Sequence, residues 1–542
     1  MAREEEEQAL GSGLSTDYGS ISQEQSSVQE HSFQKLSNTK FAIILSCLFI
    51  NVFLAALDST VVATLLSVIA SDLDCLPSIS WVATSYLLSC AAFQPIFGKF
   101  SDIFGRKQVT LFCVLIFGLG CLCSGISNSL SLMVFGRLIS GIGGGGFNTM
   151  GAIILSDIVS LDQRGLYQGY INIFYGVGSG LGGVFAGFFQ KYFDWRMAFL
   201  SQVPVCVISG VLTYLYLEIH ADHHKINGKT YTEKIKSIDF HGSVVLIGSI
   251  FLLMLAASVG GKDIAFDSIG FVLLIIFGVL GLLHFYFYEL SIEDPVIPVK
   301  LLSIPTVFSS SIACWVLSMN TFSILLYLPF FWEAVHDRSS YESGIRLIPG
   351  AVAASVGSIF AGVYIKIFKK YKMLLIVCSL INLCGSILIY CSSINGNSLF
   401  YEMTILVPCQ FGMASVVTII LIAMVSSVSN TEHALVTSIQ YGFRSTGSTL
   451  GVSLASAILQ KSLHDNMMNN FKYVKENPQL VEKVIRKALI NVNYAHTSAP
   501  EFAKSLIIAA YNSACHDVFK FVVLTGTLVA GSSLFINENE LS

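Results

Sequence analysis

Two charged side chains stand inside runs that are otherwise apolar. Asp58 occupies Leu57-Asp58-Ser59-Thr60-Val61-Val62, and Arg137 occupies Phe135-Gly136-Arg137-Leu138-Ile139-Ser140-Gly141. A charge at the centre of a bilayer-length helix costs about 2.5–3.5 kcal/mol on insertion scales, so each needs a partner or a water-filled passage. Desolvation favours the neutral form of a carboxyl and a nearby cation favours the charged form; a carboxyl held between them is suited to take up and release a proton. At about 1.5 Å per residue, Asp58 lies about 27 Å from Lys40 and Arg137 about 9 Å from Ser131, on helices that enter from opposite faces. Both then fall in the same half of a core about 30 Å thick, close enough to interact directly or through water. Asp58 and Arg137 are therefore read as the proton-coupling pair, with a purely structural ion pair as the alternative.

A second cluster lies in a charged loop. Gly98-Lys99-Phe100-Ser101-Asp102-Ile103-Phe104-Gly105-Arg106-Lys107 separates the apolar segments 79–97 and 108–127. Its charges are too dense for hydrocarbon, so it turns at a membrane surface. Gly98 and Gly105 permit a tight turn, and Asp102 and Arg106, four apart, pair if the stretch is helical.

Further polar groups lie on other apolar segments. Asn148, Gln168, Tyr170, Asn172 and Tyr175 are candidates to line a substrate cavity, the alternative being ordinary interhelical hydrogen bonds. Arg444 joins them as a third deep charge, unless it snorkels to the surface. Gly176, Gly180, Gly183 and Gly187, at offsets 0, 4, 7 and 11, form one stripe that predicts close helix packing. The run His220-Ala221-Asp222-His223-His224 lacks a cysteine cluster and is read as solvated loop, leaving no metal site. No G-x-x-x-x-G-K-[ST] sequence occurs, which argues against ATP as the driving force.

These residues need many membrane-crossing elements to hold them. The chain is 53% hydrophobic and 12% charged over 542 residues, with a mean hydropathy of +0.68. Soluble domains carry about 25% charged residues, so this is a polytopic membrane protein. The net charge of −4 argues against nucleic acid as a partner. Most of the 13 cysteines lie in apolar runs and read as small buried hydrophobes, a bridge between Cys75 and Cys515 remaining open. Residues 1–36 are acidic and rich in Ser and Gln, which predicts a disordered cytosolic tail without a cleavable signal.

At about 20 apolar residues per crossing, fourteen spans are expected near 41–69, 79–97, 108–127, 131–155, 167–189, 197–217, 239–259, 269–289, 306–331, 343–365, 373–393, 402–427, 433–459 and 516–537. The loops after even-numbered spans carry Lys99, Arg106, Lys107, Arg164, Lys225, Lys229, Lys234, Lys236, Lys300, Lys366, Lys369, Lys370 and Lys372; the short opposite loops carry five basic residues. The first set, and both termini, are therefore expected to be cytosolic. Gly362 to Lys370 echoes Gly98 to Arg106, with Lys366 where Asp102 stands, as an internal repeat of six-span halves would.

The spacing G-x-x-x-D-x-x-G-R-K resembles the loop between helices 2 and 3 of the major facilitator superfamily. Asp58 to Val62 resembles the first-helix motif of its fourteen-span drug:proton antiporter branch. Arg137 with Gly141 and Gly143 resembles the fourth-helix motif, and Trp195-Arg196-x-x-Phe199 with Pro204 the sixth-helix entry. The run Ser156-Asp157-Ile158 … Arg164-Gly165-Leu166-Tyr167-Gln168-Gly169-Tyr170 … Asn172-Ile173 looks most like fungal vacuolar basic amino acid transporters. The likeness covers about residues 40–460 and the last span. It departs in the fifth span, where Gly182 is followed by Gly183 and Val184 rather than by proline.

The resemblance implies an all-α polytopic membrane protein of the major facilitator fold: two six-helix halves plus two inserted helices, fourteen transmembrane helices in all. The expected organisation is a tail 1–39, a first half 40–217, a cytosolic loop 218–238, inserted helices 239–289, a second half 290–537 with a lumenal loop 460–515, and a cytosolic end 538–542. It implies a latch formed by Gly98, Asp102, Gly105, Arg106 and Asp157. The implied protein is not an enzyme and uses no cofactor beyond protons. It works as a monomer in the lipid bilayer of the vacuole, exchanging protons for lysine, arginine or histidine. A plasma-membrane exporter of drugs or organic compounds is the alternative.

Overall fold

The structure, a computed structural model, describes residues 37–73, 80–159, 161–218, 239–260, 264, 268–292, 295, 299–338, 340–395, 399–429, 432–472, 478–490, 496 and 499–538. The histidine run 220–224 and Cys75 lie outside them; Cys515 is buried with a free thiol.

The described chain is all-helical. In order, α1 is Asn38–Asp72, α2 Ser80–Phe93, α3 Phe97–Phe104, α4 Arg106–Gly125, α5 Leu130–Ile158, α6 Leu161–Tyr192, α7 Trp195–Leu200 and α8 Gln202–Tyr216. Then come α9 Phe240–Val259, α10 Ile269–Glu289, α11 Val299–Leu302, α12 Pro305–His336, α13 Ser340–Phe368 and α14 Lys372–Asn395. The last five are α15 Leu399–Thr404, α16 Leu406–Val425, α17 His433–Phe471, α18 Pro478–Ile490 and α19 Glu501–Ser533.

Local chemistry sets many boundaries. Ser129, Asp239 and Ser268 cap α5, α9 and α10 by accepting backbone N–H groups. Pro95 has no N–H for the helical ladder, and a short 3-10 turn at Gln94–Ile96 separates α2 from α3. Gly105, at φ 90°, ends α3 in a conformation that favours glycine, and α4 begins at the next residue.

Twelve helical segments among the described residues are long and apolar enough to cross a membrane. Two of the fourteen expected spans are not among them. The break at Pro95 leaves α2 with 14 residues, and α17 is polar for its length, carrying Arg444, Lys461, His464 and Asp465. Both nonetheless pack within the bundle, α2 on α5 and α17 on α12 and α19.

The first half is built from α1 on α6, α2 and α4 on α5, and α4 on α8. The second repeats the plan with α12 on α17 and α19, α13 on α16, and α14 on α16 and α19. The halves meet through α6 with α13 and α2 with α17. The inserted helices α9 and α10 pack on each other, and α9 touches α2 of one half and α17 of the other. There Met254 lies against Leu88 and Ala91, with Leu450 beside them. The outer side of α10 exposes Leu273, Ile276, Phe277, Leu280 and Leu283, as a helix facing hydrocarbon does.

The segment 460–515, expected as a loop, is largely helical. Helix α17 continues to Phe471, α18 follows, and α19 starts at Glu501. Leu463, Met467, Phe471, Val484, Ala488, Ala503 and Ile507 share one buried cluster with Trp332 and Phe331 of α12. Apolar residues recur at helical spacing here, and the many lysines between them obscure the pattern in a hydropathy reading. The result is a cap on the second half, at the face opposite the one where α1 begins.

Candidate functional site

Helix α5 carries Arg137 to Asp58 of α1, and its glycines let the backbones of α2 and α4 close in beside it. Side chains on Gly141 or Gly144 would collide with Tyr86 and Ser89 of α2, and on Gly143 with Cys113 and Phe117 of α4. The Arg137 NH1 donates to Asp58 Oδ2 at 2.5 Å, and its Nε donates to the Val82 carbonyl at 3.2 Å. The guanidinium lies 4.4 Å from the Tyr86 ring centroid. Asp58 is 0% and Arg137 1% exposed, so the charges neutralise each other out of contact with solvent. Asp58 Oδ1 has no hydrogen-bond partner among the described residues. This conformation does not admit a solute to Asp58.

The residues expected to form a latch also converge. Arg106 NH1 donates to Asp102 Oδ1 at 2.5 Å and Ser101 Oγ at 2.8 Å, and its Nε donates to Asp157 Oδ2 at 2.7 Å. One guanidinium thus ties α3, α4 and the end of α5. The expected Asp102–Arg106 pair forms across the break at Gly105 rather than along one continuous helix. Gly98 is a contact between halves: a side chain there would begin 2.8 Å from the Ala434 carbonyl oxygen of α17 and on top of the Ser438 hydroxyl.

Helix α6 presents its residues in three directions. Gln168, Asn172 and Tyr175, at offsets 0, 4 and 7, share a stripe toward the second half. Asn172 Nδ2 donates to Ser358 Oγ at 2.7 Å, and Ser358 shares a 2.6 Å hydrogen bond with Thr418. Gln168 Nε2 makes a long 3.5 Å contact to the Tyr441 hydroxyl. Arg444 lies 5.7 Å from the Tyr175 ring and 5.8 Å from that of Tyr441. It stands eleven residues into α17, about 17 Å from its start, too deep for a surface-snorkelling reading.

Two expected cavity residues fall elsewhere. Tyr170 lies about 200° around the helix from Gln168. It begins the exposed stripe Tyr170, Phe174, Val177, Leu181, Val184 and Phe188 and meets Tyr167 edge to face. Asn148 donates within its own helix, to the Gly144 carbonyl at 3.3 Å.

The glycine stripe corrects a packing expectation. Close contacts fall at Gly178 and Gly182, which meet Phe53, Ala56, Leu57 and Thr60 of α1. Gly176 faces Ala351 and Ser355 of α13 at 3.7 Å, Gly183 meets only Thr64 of α1, and Gly180 and Gly187 have nothing within 4 Å. Along this stripe α6 and α13 touch near the N-terminal face and separate beyond Gly176. The N-terminal face is therefore the closed one on this side of the molecule.

Sequence reading missed His433, Tyr441, Ser358 and Thr418. Arg164 NH1 lies 3.3 Å from His433 Nδ1, linking the halves where α6 and α17 begin. Burial pushes Arg164 down to about 10 against the opposing pull of Asp157, which leaves it cationic at neutral pH. A second missed cluster surrounds Glu402, 2% exposed. It accepts from Arg346 Nε at 2.7 Å, pairs with His336 Nδ1 at 2.8 Å and lies 3.6 Å from Arg338. Glu402→Gln leaves the buried Arg346 without its counter-charge, so the folded protein is expected to lose about 3 kcal/mol. Thermal unfolding of the detergent-solubilised variant checks this, and an unchanged midpoint overturns it.

The model of the Major Facilitator Superfamily matches residues 48–452. The chain belongs to the major facilitator superfamily. It is 32% identical over 509 residues to the vacuolar membrane amino acid uptake transporter fnx2 of Schizosaccharomyces pombe, covering 93% of this chain and 86% of that one. It is 34% identical over 499 residues to the multidrug resistance protein fnx1 of the same yeast, covering 91% of each. Against vacuolar basic amino acid transporter 2 of Saccharomyces cerevisiae it is 28% identical over 470 residues, covering 84% of this chain and 96% of that one. The proton:xylose symporter XylE shares the fold, with a TM-score of 0.57 at 12% identity, covering 93% of this chain and 98% of that one. As a member of this superfamily the protein is a multi-pass membrane transporter of small molecules.

Proposed function

We propose that this transporter is a proton-coupled antiporter of the vacuolar membrane that moves lysine, arginine and histidine from cytosol to vacuole. The observation that carries the coupling is the solvent-free Asp58–Arg137 pair with one unsatisfied carboxylate oxygen. Protonation of Asp58 removes the charge that holds Arg137, so one proton changes the packing among α1, α2 and α5. Substrate and proton are then linked through conformation rather than by rivalry for one carboxylate. On this reading α2–α3 and α17 complete fourteen crossings, the N-terminal face is cytosolic as its loop lysines suggest, and the opening beyond Gly176 faces the lumen. Arg106 with Asp102 and Asp157 latches the cytosolic side. The named activities of fnx2 and basic amino acid transporter 2 support the substrate class.

The similarity to fnx1 favours a second reading, export of organic compounds. Uptake into vesicles holding the purified protein, acid inside, separates the two. Labelled lysine, arginine and histidine are expected to accumulate, and collapse of the pH gradient is expected to stop them. Accumulation of a lipophilic organic cation in place of all three amino acids supports export and rejects the proposal.

A further inference from the structure

Each strongly buried arginine described above has a carboxylate: Arg137 has Asp58, Arg106 has Asp102 and Asp157, and Arg346 has Glu402; half-buried Arg164 is held instead by the Ser156 and Val159 carbonyls and by His433. Arg444 differs. It sits partly buried at mid-depth on the face of α17 that meets the first half. No carboxylate lies within ion-pair distance among the described residues, and its contacts there are the Tyr175 and Tyr441 rings. A guanidinium offers five N–H donors in a planar fork that matches a carboxylate. At mid-membrane depth an unmatched fork is expensive to maintain, so its presence calls for a visiting anion.

A second unmatched group points the same way. Gln168 is 3% exposed, and its Oε1 has no hydrogen-bond partner among the described residues. Its amide nitrogen approaches the hydroxyl of Tyr441, whose ring lies beside Arg444. An empty acceptor and an empty donor fork, joined by one tyrosine on facing elements of the two halves, suit a solute carrying both an ammonium and a carboxylate.

We infer that Arg444 holds the carboxylate of the transported solute, with Tyr175 and Tyr441 flanking it and Gln168 Oε1 accepting from its ammonium. The inference rests on the amino acid reading above and sharpens it: the amino-acid head group, not only side-chain charge, is the recognised feature. Because α6 and α17 belong to different halves, a bound head group bridges them. Amines that lack the carboxylate lose the handle altogether.

The test uses the full-length protein in vesicles, acid inside. Lysine and arginine are expected to compete with labelled lysine, and their decarboxylated counterparts cadaverine and agmatine to compete at least tenfold more weakly. Arg444→Gln should raise the KM for lysine at least tenfold, with Arg444→Lys recovering part of the loss. Equal competition by the amines, or an unchanged KM in Arg444→Gln, overturns the inference while the antiporter reading stands. A separate measurement covers failure of that reading. The unfolding midpoint of wild type and Arg444→Gln is followed with lysine, leucine and benzoate, and with cadaverine and 3-methylbutylamine. Stabilisation of wild type by a carboxylate, lost in the variant and not given by the amine, supports the subsite even where no basic amino acid is carried. Absence of stabilisation by every carboxylate counts against it.

Discussion

Asp58→Asn is expected to abolish pH-driven uptake and to destabilise the fold by about 3–5 kcal/mol, the range for breaking a buried ion pair. Asparagine keeps an oxygen near Arg137 NH1 but not the charge, and the 1% exposed guanidinium has no solvent to turn to. The Tyr86 ring and the Val82 carbonyl compensate only in part. Loss of uptake in the single variant therefore mixes coupling with folding. Asp58→Asn combined with Arg137→Gln separates them, because the pair is replaced by two neutral amides. Its unfolding midpoint should return most of the way to wild type while proton-driven uptake stays absent. Gradient-driven uptake in the double variant would remove Asp58 and Arg137 from the proton path and leave a structural ion pair.

Gly98→Val carries the second large effect, through conformation rather than charge. The new side chain would start 2.8 Å from the Ala434 carbonyl oxygen, against backbone that cannot swing aside. Closure of α3 on α17 at the N-terminal face is then blocked, while each half keeps its own core. Uptake is expected to fall at least tenfold with little change in unfolding midpoint. A Gln168→Cys reporter, at a position 3% exposed in the closed arrangement, should react faster with a membrane-impermeant thiol reagent once Gly98→Val is added. Mass spectrometry at that site reads the rate. Equal rates with and without the valine would show that Gly98 is not a closure contact.

Much of this arrangement was readable as heights along helices. Counting residues from surface loops put Asp58 and Arg137 at one level, and the pair is present at 2.5 Å. Spacing likewise joined Asp102 to Arg106. Angles about a helix axis were less accessible to a reading by polarity. Tyr170 was grouped with Gln168 and Asn172 because it is polar, although its offset turns it to the outer stripe with Phe174. The spacing of Gly176, Gly180, Gly183 and Gly187 predicts close packing that falls instead at Gly178 and Gly182, because the neighbour each glycine meets is set by how the helices tilt, which no local pattern encodes. Arg444 shows the same limit, since its tyrosine neighbours come from its own helix and from α6 far away in the chain. The helical cap over the second half is masked by its lysines, and the turn at Pro95 interrupts a stretch, 79–97, that a count of apolar residues reads as one span.

The contact of α9 with both halves has a consequence for turnover. Any rocking of one half against the other must slide Met254 past Leu88 or Leu450, and that contact is made of apolar side chains. Dispersion contacts are individually weak, about 0.1–0.2 kcal/mol per atom pair, and re-form after a small displacement. An apolar contact of this kind resists relative motion of the two halves far less than a hydrogen-bonded or ion-paired one, and α9 covers the line where α2 and α17 meet.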